Sequence, residues 1–116
     1  MLKVYAYAGC DTCRRALRFL RERNVVHEVI PIREQPPSRA ELRRMLAAYG
    51  GDVRRLFNTS GQDYKALGLA RKLPDLSTDE ALALLAGNGN LVKRPFVLAR
   101  DDAWTGFKEA EWRERV

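Results

Sequence analysis

Residues 2–7, LKVYAY, alternate along the chain and carry Val and Tyr. That is the period-two signature of a strand. From residue 11 the period changes. Cys13, Ala16, Leu17 and Leu20 fall at i, i+3, i+4 and i+7, which predicts a helix over 11–23 with one buried stripe. Arg14, Arg15, Arg18, Arg21 and Arg23 mostly fall off that stripe, and Asn24 supplies a stop. Residues 25–32, VVHEVIPI, read as a second strand. The first 32 residues therefore predict a β-α-β unit.

The pattern then turns helical. Pro36 and Pro37 break the chain, and Ser38 with Glu41 three residues on is a capping-box signature. Leu42, Met45, Leu46 and Tyr49 supply an apolar stripe, and Gly50-Gly51 ends it. Short helices are expected at 53–57 and 62–67, the second closed by Gly68, with Pro74 as a separator. Ser77 and Glu80 repeat the capping box ahead of Leu82, Leu84 and Leu85, and GNGN at 87–90 reads as a turn or helix exit. Strand character returns in RPFVLA (94–99) and AWTGF (103–107), with Asp101-Asp102 at a hairpin turn, and KEAEWRERV closes the chain as a helix. The predicted order is βαβ, a helical block over about 38–90, then ββα. This is an α/β fold in which the block is an insert within one domain spanning 1–116, because its flanking pieces are too small to fold alone.

With 46% apolar residues, a core is feasible without staples. No apolar run approaches the roughly 20 residues that span a membrane, and MLKVYAYAG lacks the apolar core of a secretory signal. A cytoplasmic, reducing setting is expected, in which two cysteines are rarely a structural staple. The net charge of +6 favours anionic partners. The arginines are scattered and few aromatics interleave them, so Arg14, Arg15, Arg18 and Arg21 read as a solvated helix face, and direct nucleic-acid binding is not expected.

The only cysteines, Cys10 and Cys13, lie at the predicted strand-to-helix turn. A helix N-terminus offers unpaired N–H groups and about half a positive charge, so a thiolate there is stabilised. Cys10 would sit at or just before the cap, with Cys13 one turn in. That spacing suits attack by Cys13 on a mixed disulfide at Cys10. Arg14 adds positive charge and Asp11 opposes it. Two other readings stand beside redox chemistry. A zinc site usually takes four Cys or His ligands, and this chain offers Cys10, Cys13 and His27, the last without metal spacing. Alternatively both cysteines are small core residues, which suits Cys13 better than Cys10. Arg94-Pro95 is a second feature. An arginine before a proline that opens a strand either faces the redox turn, with a cis bond at the proline, or is an exposed arginine at a sheet edge.

Taken together, YAGCDTCRRALRFL, PPSRAELRRML, VRRLFNTSGQDYKALGLA, LVKRPFVL and TGFKEAEW resemble, in order, segments of the ArsC-like family. That family includes glutaredoxin-coupled arsenate reductases, YffB-type proteins and Spx-type redox regulators. The resemblance covers essentially the whole chain and implies a thioredoxin/glutaredoxin-like fold with a helical insert. It also implies that Cys10 is the reactive cysteine and that Arg94, before Pro95, lines the active site. The chain departs from the classical reductases at four places. Ala6 stands for a histidine, Cys13 for a serine, Asn58 for an arginine, and the neighbourhood of Gly106-Phe107 for another arginine.

The expected protein is a thiol-dependent oxidoreductase. Cys10 attacks an oxidised substrate, and Cys13 or glutathione resolves the adduct. Arg94 lowers the Cys10 pKa, while Thr12, Arg14, Asn58 and Pro95 surround the anion. No metal or organic cofactor is expected, only glutathione or a thioredoxin- or glutaredoxin-type reductant. The alternative is an Spx-type regulator whose CxxC is a switch and whose partner is the RNA polymerase α subunit.

Overall fold

The computed structural model describes residues 1–116. Strand β1 (Leu2–Ala6) leads into helix α1 (Asp11–Glu22), and β2 (His27–Pro31) follows. Asn24 takes a positive φ of 56°, which turns the chain after α1 as its stop signal predicts. Helices α2 (Arg39–Ala48), α3 (Gln62–Ala66), α4 (Leu69–Lys72) and α5 (Thr78–Gly87) then intervene, with 3₁₀ turns at Val53–Leu56, Leu73–Asp75 and Gly89–Leu91. The chain returns through β3 (Phe96–Leu98) and β4 (Ala103–Thr105) to helix α6 (Glu109–Arg115). Helix α4 and the turn after it occupy the stretch between Gly68 and Pro74, where the sequence pattern predicts no element. Gly68, at φ 64°, closes α3, yet its carbonyl accepts from the N–H groups of Arg71 and Lys72 and starts the next turn.

The sheet order is β2-β1-β3-β4. β1 pairs parallel with β2 from Leu2↔His27 to Ala6↔Pro31, and antiparallel with β3, which pairs antiparallel with β4. Alternation along the strands sends side chains to two cores. Leu2, Val4, Val97 and Trp104 face α1 and α6, where Cys13, Ala16, Leu20 and Trp112 are buried with them. Tyr5, Phe96, Leu98 and Ala103 face the helical block, against Leu42, Met45, Leu82 and Leu85. No helix is long and apolar enough to cross a membrane. The arrangement is thioredoxin-like, with the helical block covering one face of the sheet.

Candidate active site

Beyond Ala6 the chain makes a tight turn, with the Cys10 N–H donating to the Tyr7 carbonyl at 3.1 Å. A Cβ at Gly9 would lie 2.7 Å from atoms of the Tyr7 ring, so a side chain there would have to displace that ring. Cys10 is the N-cap of α1, in extended backbone, and its Sγ accepts from the Cys13 N–H at 3.4 Å. A sulfur thus takes the place that a serine or aspartate oxygen usually takes at a cap. A thiolate gains most from that place, because it adds negative charge at the positive end of the helix.

The two thiols are pushed in opposite directions. Burial raises Cys10, but the Cys13 N–H, the Cys13 thiol, the Arg94 charge and the Thr12 N–H outweigh it and hold the group below the ordinary thiol value. Cys13 is fully buried. Burial, with hydrogen bonding to Cys10 and the charge on Cys10, pushes it up to about 12 against the opposing Tyr7 backbone and Arg94. Both thiols are free.

Cys10 opens onto a cleft of about 680 Å³ that also takes in Thr12, Asn58 and Arg94. Three cations that the sequence reading did not single out, Arg55, Lys93 and Lys108, line it too, against one acid, Glu111. Lys93 was within reach of sequence reasoning as the neighbour of Arg94. Arg55 and Lys108 carry no local signal, because distant pairing brings them in. The Gly106 N–H donates to the Pro95 carbonyl at 2.8 Å, carrying residues 105–108 to the mouth of the cleft. Tyr49 Oη accepts from the Thr105 N–H at 2.9 Å and ties the wall to α2.

The Arg94–Pro95 bond is cis. Arg94 lies 5.3 Å from the Tyr7 ring centroid, and its Nη1 is buried without a hydrogen-bond partner. Such a donor is costly to leave unpaired and favours an acceptor in the cleft. Pro95 is buried and does not line the cleft. Arg14, expected beside the anion, does not line the cleft. Its guanidinium donates to the Ala8 carbonyl at 2.8 Å and pairs with Asp11, so the two opposing charges near the cap satisfy each other. Asn58 is held by its backbone, which donates to the Leu91 carbonyl at 2.7 Å and accepts from the Gly61 N–H at 3.0 Å. His27 pairs with Leu2, at the end of β1 away from Cys10, so the three-ligand zinc arrangement is not assembled.

The chain is 42% identical over 113 residues to the uncharacterized protein YusI of Bacillus subtilis, covering 97% of this chain and 96% of that protein. It is 35% identical over 96 residues to an arsenate reductase of Rhizobium meliloti, covering 83% and 67%. It is 26% identical over 113 residues to the global transcriptional regulator Spx of Streptococcus mutans, covering 97% and 81%. The crystal structure of an ArsC-family-related protein of Bacteroides fragilis superposes with a TM-score of 0.91 at 39% identity, covering 97% and 95%. Residues 5–115 match the model of the ArsC family, and the chain belongs to that family.

Proposed function

We propose that the protein is a thiol-dependent reductase in which Cys10 is the nucleophile. The observation that carries this reading is the placement of Cys10 as the cap of α1, at the edge of a cationic cleft beside Arg94. The Cys10 thiolate attacks one sulfur of a substrate disulfide. A new S–S bond forms as the substrate's bond breaks, and the leaving thiolate takes a proton from water. A second thiol, Cys13 or a molecule of glutathione, attacks the mixed disulfide and frees the second substrate thiol. Cys13 leaves a Cys10–Cys13 disulfide; glutathione leaves a Cys10–glutathione disulfide, and a second glutathione attacks its glutathione sulfur to give oxidised glutathione and return the Cys10 thiolate. One disulfide is reduced and two thiols are oxidised at each turnover. A thioredoxin- or glutaredoxin-type protein restores the oxidised reductant, which suits the cytoplasm.

The Rhizobium meliloti relative makes arsenate the second substrate to try. Arg55, Lys93, Arg94 and Lys108 give the cleft cationic donors for such an oxyanion. The test is an NADPH-coupled assay with glutathione and glutaredoxin, offering a glutathione mixed disulfide and arsenate separately. Turnover falls to background in Cys10→Ser. Survival in Cys13→Ser identifies external glutathione as the resolving thiol. Turnover that persists in Cys10→Ser contradicts the assignment.

The Spx relative and the paired cysteines favour a second reading, a redox-sensing protein whose Cys10–Cys13 disulfide alters binding to the RNA polymerase α subunit. Absent turnover, together with peroxide-dependent change in that binding, distinguishes it.

A further inference from the structure

Two arginines of the cleft are held on tyrosine rings. Of the seven cations that lie against an aromatic ring, only Arg94 and Arg55 also line the cleft that Cys10 opens onto. Arg94 lies 5.3 Å from the Tyr7 centroid, and its charge reaches Cys10. Arg55 lies closer to its ring, 4.5 Å from the Tyr49 centroid. The rings come from different parts of the fold, Tyr7 from the turn after β1 and Tyr49 from the end of α2.

Tyr49 is itself fixed. Its Oη accepts from the Thr105 N–H at 2.9 Å and from Thr105 Oγ1 at 3.2 Å. Thr105 ends β4, an edge strand whose other side is paired with β3, so the hydroxyl supplies a partner that the edge lacks. The backbone at Arg55 is fixed as well. The Arg55 N–H donates to the Asp52 carbonyl at 3.1 Å, and the next carbonyl, of Leu56, accepts from the Lys93 N–H at 2.9 Å. Both ends of the Arg55 side chain are therefore placed before a ligand arrives, which leaves less freedom to lose on binding. Lys93 and Lys108 are exposed point charges on flexible stems, and a ligand would have to order them.

We propose that Arg55 is the specificity-determining residue of this cleft, with Tyr49 as its positioning residue, and that it selects disulfides carrying a carboxylate away from the reacting sulfur. A planar carboxylate matches the two-pronged guanidinium. The proposal rests on Cys10 as the nucleophile of the reading above and adds which substrates the cleft prefers.

The test is the rate of attack on two disulfide probes near pH 7 at physiological ionic strength. Dithiobis(nitrobenzoate) carries a carboxylate on each ring, and dithiodipyridine carries none. With either probe the Cys10 thiolate bonds to one probe sulfur, the probe S–S bond breaks, and the other half leaves reduced as an absorbing thiolate or thione. Arg55→Ala should slow the carboxylate probe about tenfold and leave the neutral probe unchanged. Tyr49→Leu should slow the carboxylate probe about fivefold, whereas Tyr49→Phe, which keeps the ring, should stay within about twofold of wild type. On the Arg55→Ala background, Tyr49→Leu should remove nothing further. Arg54→Ala, a neighbour that does not line the cleft, should change neither rate. A full rate in Arg55→Ala, equal slowing of both probes by Tyr49→Leu, a further loss from Tyr49→Leu on the Arg55→Ala background, or the same loss from Arg54→Ala as from Arg55→Ala overturns the proposal. Each probe is consumed once per thiol, so the pattern is read without turnover. If it holds while the coupled assay shows no turnover, the reductase falls and the Arg55 assignment stands. If it fails while the coupled assay turns over, the Arg55 assignment falls and the reductase stands.

Discussion

Cys10 and Cys13 are the same chemical group one helical turn apart, and their surroundings make them different reagents. Cys10 faces the cleft and is held low by backbone N–H groups, the Cys13 thiol and Arg94, against the cost of burial. Cys13 is in the core and stays protonated. The backbone contribution to Cys10 survives any side-chain substitution, whereas the Arg94 contribution does not. Arg94→Gln should therefore raise the Cys10 pKa and cut the rate on an anionic disulfide about tenfold near pH 7. Arg94→Lys keeps the charge but loses the planar fork, and it should fall between the two. A pH–rate profile checks the sign, because the variant should recover toward the wild-type rate as alkali restores its thiolate.

At the scale of elements, Glu41 joins α2 to the sheet. Its Oε1 accepts from the Ser38 N–H at 3.0 Å and from the Tyr5 hydroxyl at 2.7 Å, while its Oε2 accepts from Lys3 Nζ at 2.8 Å. The capping box and the tie to β1 thus share one carboxylate. Partial burial raises its pKa, but Lys3, Ser38 and Tyr5 prevail and hold it below the ordinary carboxylate value. A depressed folded-state pKa stabilises above the unfolded value and is lost as pH falls through the folded one. Glu41→Ala should cost about 2 kcal/mol near pH 7. Urea denaturation should show that difference shrinking as pH falls below the usual Glu value of about 4. Ser77 and Glu80 form the same box at α5, so both long helices of the block begin at sites written locally in the sequence.

For the whole molecule, what could be read from sequence was what neighbours in the chain decide. The β-α-β start, the two capping boxes and the cap at Cys10 follow from spacing within a few residues. Helix α4 escaped because Gly68 both ends one helix and begins another, which a rule treating glycine as a stop does not anticipate. The positive wall escaped because β3–β4 pairing and the 3₁₀ turn at Val53–Leu56 gather Arg55, Lys93 and Lys108 from three parts of the chain. Arg14 lies outside the cleft lining for the reverse reason, since proximity in sequence to Cys10 counts for less than its own contacts with Ala8 and Asp11. The sheet with its two cores puts one thiol at the cleft and the other in the interior. The most direct measurement of that division is iodoacetamide alkylation of the native protein across pH, read by mass spectrometry of each cysteine. Cys10 should be alkylated first, with a midpoint below the ordinary thiol value, while Cys13 stays unmodified until the protein unfolds. Alkylation of both at one rate, or a Cys10 midpoint at the ordinary value or above, would contradict the assignment of Cys10 as the activated nucleophile.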